Sequence, residues 1–357
     1  MASIDINGKF LGAGLNGVHR TAAHYCEQLI KRTAGEHDVR LLSPFAAASA
    51  AEFAHLTPTQ ARGRCGSGQG WEMLTLPKLA RSNLLVNFCN LAPLLHGNSV
   101  VMIHDAQTFL YPQDYSGRQA AAYRRMLPWI GRRARRILTV SAFARDALAA
   151  HGIGHHDKID VVHNGTDHLL GVPADSTILQ RLGLQSGRFV LTMGSIKGYK
   201  NMRSLFRAMH QPLPEGYRFV VAGGPSGDRY SMAGWTPPPG TVFTGFVSDA
   251  ELRALYSAAS VFVFPSLTEG FGLPPVEAMH CRTPVVAARA GAMPEVCEGA
   301  AVLVDAEDPS AYRQAISAIL DDPMLADDFR ARGARRAAAL TWDAAGERLH
   351  SLISGLV

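Results

Sequence analysis

An apolar run, Ser260-Val261-Phe262-Val263-Phe264, gives way at once to Pro265-Ser266-Leu267-Thr268-Glu269-Gly270-Phe271-Gly272-Leu273-Pro274-Pro275-Val276-Glu277-Ala278-Met279. A short β-branched and aromatic run of that kind reads as a strand buried on both faces, as in a parallel sheet. Gly270 and Gly272 let the backbone turn sharply and approach a ligand closely. Pro274 and Pro275 then suit the first turn of a helix, where a missing N–H leaves no intrahelical bond unmade. Strand, glycine loop and helix start make one βα unit, which commits this half of the chain to an α/β fold. Amides at such a helix start favour an anion, most often phosphate. Gly270, Phe271, Gly272 and Leu273 are therefore candidate donor-binding residues. Glu269 and Glu277 flank that cradle eight positions apart. A carboxylate beside a phosphate site does not bind phosphate; it accepts hydrogen bonds from hydroxyls. Phosphate together with hydroxyls predicts a nucleotide sugar.

The whole string resembles the Glu-x7-Glu signature of the retaining glycosyltransferases of family 4. Two glutamates at that spacing alone would mean nothing, and the alternative is an ordinary βα turn with solvated or helix-capping glutamates. The resemblance runs over roughly residues 5–350. It implies an α/β, GT-B architecture: two Rossmann-like domains whose parallel sheets face across a cleft. It also implies transfer of a hexose from a nucleotide diphosphate sugar to a hydroxyl of a glycan or lipid-linked acceptor, with no cofactor and no metal. The start of the chain is most similar to bacterial transferases of polysaccharide or O-antigen assembly, with mannose the favoured sugar. Two alternatives remain open: a non-catalytic GT-B partner that binds a glycan or lipid head group, and a GT-B nucleotide-sugar epimerase.

A chain of 357 residues is long for one core and suggests about two domains. The first half alternates expected strands (39–43, 99–103, 137–140) with expected helices (18–32, 119–136), and the second half repeats the pattern with strands at 189–193, 218–222, 242–246, 261–264 and 284–288. Glycine, proline, serine and aspartate gather between them. The expected division is a first, acceptor-side domain over 1–170, a linker over 171–187 and a nucleotide-sugar domain over 188–341. A helix over 342–357 follows, which in the family crosses back to the first domain. The stretch 46–74 resembles nothing specific.

The first residues carry neither a basic nor an apolar signal-peptide region, and the uncharged stretch 82–104 is interrupted by asparagines, Pro93 and Gly97, so no membrane span is expected. Five scattered cysteines show no metal spacing, and their odd number argues against a disulfide framework. A cytoplasmic location is expected. Through residue 185, Lys+Arg outnumber Asp+Glu 19 to 13, against 16 to 17 in the remainder. A basic first half suits an anionic partner; without a nucleic-acid motif, the anionic inner leaflet or a phosphorylated acceptor fits better. The segment from Tyr123 to Arg136 mixes six arginines with Trp129 and Ile130. It reads as a helix covering the sheet, with peripheral membrane contact as the alternative.

Gly12-Ala13-Gly14-Leu15-Asn16-Gly17 satisfies the dinucleotide pattern G-x-G-x-x-G. That pattern needs an acid at the end of the second strand, and Ser43 runs into Pro44-Phe45-Ala46 instead. The resemblance gives the loop another use: it faces the donor phosphates and the acceptor, with Gly14, Asn16 and Gly17 as donor-binding candidates, and Gly17-Val18-His19-Arg20 matches a subgroup of the family. The alternative is a turn without ligand contact. Gly194-Ser195-Ile196-Lys197-Gly198-Tyr199-Lys200-Asn201 follows a strand, where a lysine supplies a mobile point charge for a diphosphate. Lys200-Asn201 matches the family's Lys-Asn pair. Ser195 stands where the family often has arginine, which leaves Lys197 either a second phosphate ligand or solvated. His104-Asp105 resembles the family's His-Asp, placing His104 near the reacting sugar; with Lys200 and Glu269 it completes the candidate catalytic set. Thr244-Gly245-Phe246-Val247 matches the nucleotide-base region, with Phe246 and Val247 as base contacts and a plain strand end as the alternative. His151, His155 and His156 read as a solvated loop. Arg282 stands where the family has glycine. Asp305-Ala306-Glu307-Asp308 reads as a helix cap, not a metal motif.

Overall fold

A computed structural model describes residues 3–14, 16–63 and 65–357. The chain divides into two compact units, Met1–Asn164 with Trp342–Val357, and Gly165–Thr341. Among the described residues, the first unit holds the strands β1 (Ser3–Asn7), β2 (Asp38–Ser43), β3 (Thr59–Gln60), β4 (Leu84–Asn87), β5 (Ser99–Met102), β6 (Arg136–Thr139) and β7 (Ile159–Val161). The second holds β8 (Phe189–Met193), β9 (Arg218–Ala222), β10 (Val242–Phe243), β11 (Val261–Phe264), β12 (Val285–Ala288) and β13 (Val302–Val304). Every pairing is parallel, and the orders are β3-β2-β1-β4-β5-β6-β7 and β10-β9-β8-β11-β12-β13. Both are doubly wound orders. Each reverses direction once, between β1 and β4 in the first unit and between β8 and β11 in the second. Ligands of such sheets bind where the strand order reverses, beyond the carboxyl ends of the strands.

The apolar runs become central strands because helices cover both faces of each sheet. Val190, Val221, Val261 and Val263 pack with Leu205, Phe206, Tyr312 and Ile316 in the second core. Val101, Ile103 and Ile137 pack with Leu127, Ile130 and Leu148 in the first. Burying a side chain of that size stabilises by about 1.5–3 kcal/mol. One charge sits in mid-strand: Asp5 is fully buried in β1 and takes both Nε and Nη2 of Arg40 at 2.8 Å. That bidentate geometry is what a buried carboxylate requires.

The helix Gly117–Arg133 buries Ala120, Leu127 and Ile130 and leaves Arg124, Arg125, Arg132 and Arg133 exposed, so its apolar face is spent on the core. The helix Trp342–Ser354 packs on Gly17–Thr33: Trp342 stacks on His24 at 4.5 Å and meets Tyr25 edge-on. Residues 165–187 fold within the second unit, where Ile178 is buried and the Asp175 amide bonds Ala250 O. The strand expected over 242–246 stops at Phe243. Beyond it Thr244 Oγ1 turns to Gly245 O at 2.8 Å and Gly245 adopts φ +65°, which ends the ladder. Among the described residues no helix is long and apolar enough to cross a membrane.

Candidate active site

The second unit brings Lys200 and Glu269 together at the ends of β8 and β11. After β8 the chain turns through Gly198–Lys200, and Asn201 takes a left-handed φ of 55°, tolerable for asparagine. Its side-chain amide donates to Pro265 O at 3.1 Å and to Ala306 O at 2.7 Å. The Leu267 amide donates to Tyr199 O at 2.7 Å. These bonds stitch the loop after β8 to the loop after β11. The result is a contact no spacing predicts: Lys200 Nζ lies 2.6 Å from Glu269 Oε1.

The rings of Tyr199 and Phe264 each lie 5.5 Å from the Lys200 ammonium, and Lys197 sits 5.5 Å from the same Tyr199 ring. Cation–π attraction therefore gathers both lysines around one buried aromatic. Ser195 accepts the Lys197 amide at 3.2 Å, so the residue standing for an arginine shapes the turn.

The glycine loop is shaped by close approach. Gly272 caps the helix Leu273–His280 with φ +90°, and Pro274 and Pro275 occupy its first turn. At Gly291, φ is +57° and a Cβ would stand 2.7 Å from the Glu269 amide nitrogen; Glu269 O in turn accepts from Ala292 at 3.2 Å. Gly270 and Phe271 are buried, while Leu273 is half-buried. Glu277, one turn in, is 7% exposed. Tyr256 donates to its Oε2 at 3.2 Å, and His168 Nε2 lies 3.5 Å from its Oε1. Sequence reasoning missed both partners. Both lie far from Glu277 in sequence, and no spacing links them to it. Phe246 is 92% exposed on its turn, and Val247 beside it is half-buried. Arg282 has φ +59°, so the turn keeps the conformation that glycine adopts freely and an L side chain adopts under strain. Asp308 caps the helix Pro309–Asp321 through the Ser310 amide.

In the first unit His104 follows β5. Its amide donates to Asn90 Oδ1 at 2.8 Å, and Asn90 holds φ +64°. Its Nε2 meets Phe88 O at 2.8 Å. A carbonyl can only accept, so Nε2 carries the proton and Nδ1 is left as acceptor. Burial lowers the pKa to about 4, and the nearby His19 adds to the lowering, against the Phe88 bond that raises it. His104 is therefore a neutral hydrogen-bonding group at pH 7. The loop before the helix Gly17–Thr33 is open: a Cβ on Gly14 or Gly17 meets nothing within 4 Å. Asn16 caps that helix through the His19 amide at 3.0 Å, and the His19 ring reaches Gly14 O at 3.1 Å. Among the described residues no group of three His, Cys, Asp or Glu stands in metal-holding geometry.

Two family profiles match this chain: "Glycosyltransferase Family 4" over residues 15–168 and "Glycosyl transferases group 1" over residues 187–322. O-antigen chain mannosyltransferase B of Escherichia coli is 30% identical over 261 residues, 69% of this chain and 67% of that protein. D-inositol 3-phosphate glycosyltransferase 1 of Catenulispora acidiphila is 34% identical over 233 residues, 60% of this chain and 56% of its own length. Anabaena HepE, solved in complex with UDP-glucose, superposes with a TM-score of 0.72 at 20% identity, covering 99% of this chain and all of that one. At that identity the likeness is one of fold, and the fold is GT-B.

Proposed function

The chain belongs to glycosyltransferase family 4, and on that premise we propose that it moves a hexose from a nucleotide diphosphate sugar to a hydroxyl of a glycan or lipid-linked acceptor, with retention of anomeric configuration. The observation that carries this reading is the Lys200–Glu269 pair at 2.6 Å where the strand order of the second unit reverses. Lys200 is on the loop expected to meet the diphosphate, and Glu269 on the loop expected to meet the sugar.

The roles follow from the charges. As the bond between the anomeric carbon and the diphosphate oxygen breaks, negative charge grows on the leaving group and positive charge on the sugar. An ammonium fixed by its loop favours the first and a carboxylate the second, and prepositioned charges of this kind dominate many catalysed steps. Glu277 takes the ribose hydroxyls. Tyr256 holds its Oε2, His168 Nε2 lies 3.5 Å from its Oε1, and a carboxylate offers about four acceptor positions. Phe246 and Val247 meet the base, and Lys197, Gly270, Phe271, Gly272 and Leu273 meet the phosphates. His104, as a neutral imidazole, accepts a hydrogen bond at Nδ1. No second carboxylate is assigned opposite Glu269, so we propose a same-face displacement. The acceptor oxygen bonds to the anomeric carbon on the side the diphosphate leaves, and the diphosphate takes the acceptor's proton. No metal ion is assigned to the step; Lys200 and the helix start supply the positive potential.

Bacterial polysaccharide assembly at the cytoplasmic side is the proposed setting, with mannose the proposed sugar. The resemblance to an O-antigen mannosyltransferase supports both. The exposed arginines of Gly117–Arg133 are the proposed surface for an anionic leaflet. Incubation of the protein with UDP-, GDP- and dTDP-linked hexoses, with acceptor omitted, tests the reading. Release of one nucleoside diphosphate above background is expected, fastest with a mannose donor. No release from any donor contradicts it, and trapping a covalent glycosyl-Glu269 adduct would sink the same-face step.

A further inference from the structure

Where the strand order of the first unit reverses, between the ends of β1 and β4, lies a cavity of about 170 Å³. Its wall includes Lys9, His19, Gln69, Glu72, Phe88 and Tyr123. Glu72 is buried, on a π-helical turn over Trp71–Thr75, a local geometry common at functional positions. Its Oε1 accepts from Asn7 Nδ2 and its Oε2 from Lys9 Nζ, both at 2.7 Å. Asn7 Nδ2 also reaches Asn87 Oδ1 at 3.0 Å. In the orientation that satisfies its amide, Gln69 donates to Glu72 at 2.9 Å and accepts from Lys9 at 3.2 Å.

This network cancels its own charge. The ammonium is committed to a carboxylate that three side chains hold, and that carboxylate faces the same cavity. A phosphate entering here meets no net positive charge. A hydroxyl, which both donates and accepts, matches a wall that offers both. Phe10, Phe88 and Leu91 add apolar surface to a largely polar lining, and convergent polar groups beside apolar ones suit a saccharide, which carries both hydroxyls and C–H faces. The cavity also adjoins the histidine assigned above. Phe88, whose carbonyl holds His104, and His19, which lies near that ring, both line this wall.

We infer that the Lys9–Glu72 network makes this cavity, on the acceptor side of the site, select the terminal unit of an uncharged saccharide over a phosphorylated polyol. The inference rests on the transferase reading and narrows its acceptor. The test titrates the full chain, saturated with the nucleoside diphosphate it binds, with neutral methyl hexosides (mannose, glucose, galactose, N-acetylglucosamine) and with their 6-phosphates, followed by saturation-transfer NMR. At least one neutral glycoside binds, and its 6-phosphate binds at least about tenfold more weakly, since it leaves a charge unpaired. Gln69→Ala and Tyr123→Phe each weaken that glycoside about two- to tenfold, the range for one hydrogen bond, with nucleotide binding unchanged. Glu72→Gln, which uncovers Lys9, shifts preference toward the 6-phosphate. Equal or tighter binding of the 6-phosphate by the unaltered chain overturns the inference. So does failure of every neutral glycoside to bind, or indifference to both milder substitutions. Failure to bind any nucleoside diphosphate would strike the transferase reading instead.

Discussion

The two places where strand order reverses hold the same chemical pair in different states. In the second unit Lys200 and Glu269 touch at 2.6 Å, with side chains 28% and 12% exposed. They stand on two loops that other residues stitch together, and among the described residues no second side chain hydrogen-bonds the Glu269 carboxylate. In the first unit Lys9 and Glu72 touch at 2.7 Å, but Glu72 is almost fully enclosed and is also bound by Asn7 and Gln69. On the proposed function, a pair held by one contact lends its cation to an incoming diphosphate, and a pair held by several presents a neutral, polar wall. Identical residue types would then serve a charged ligand in one unit and an uncharged one in the other, the surrounding hydrogen bonds making the difference.

The largest expected break in this comparison is Lys200→Ala. Removing one prepositioned charge costs about a hundred- to a thousandfold in kcat, while stability changes by about 1 kcal/mol or less, because the pair is partly exposed. Steady-state transfer and a melting curve on the same preparation check both halves. Lys9→Ala should do the reverse to stability: it leaves a buried carboxylate uncompensated, costing about 3 kcal/mol, read as a fall in Tm. If the two substitutions destabilise equally, the distinction between the two pairs fails.

His104 sharpens the first-unit side through pH. Its folded pKa is near 4 and its ordinary value 6.5, so below pH 6.5 the unfolded chain takes up the proton first. The contribution is whole above about pH 6.5 and is lost as pH falls toward 4, up to about 3 kcal/mol in all. Calorimetry from pH 7.5 to 4.5 should show that slope, and His104→Gln should flatten it. The smallest effect belongs to Arg282, whose φ of +59° strains the turn after the helix bearing Glu277. Arg282→Gly should stabilise by about 0.5–1 kcal/mol, a rise of a few degrees or less in Tm.

Legibility followed local pattern. The strands at 189–193, 218–222 and 261–264 form with those bounds because each is a continuous apolar run buried on both faces. Lys200, Glu269 and Glu277 were legible as members of a loop motif. Their partners were not. The Lys200–Glu269 contact depends on Asn201 and Tyr199 bridging loops far apart in sequence, and no period signals that. Glu72 lies in the stretch 46–74, which carried no recognisable pattern, and a π-helical turn has no repeat to read. His104 was placed by resemblance, but its neutral state comes from burial and from Phe88 O, which only the fold supplies.

The central claim is that the second unit lends Lys200 to a diphosphate. Isothermal titration of the full chain with UDP, GDP and dTDP, beside the Lys200→Ala variant, tests it most directly. One nucleotide should bind the unaltered protein and bind the variant at least about tenfold more weakly, the loss of one charge-assisted contact. Equal affinity for both proteins, or no binding by the unaltered one, would contradict the account.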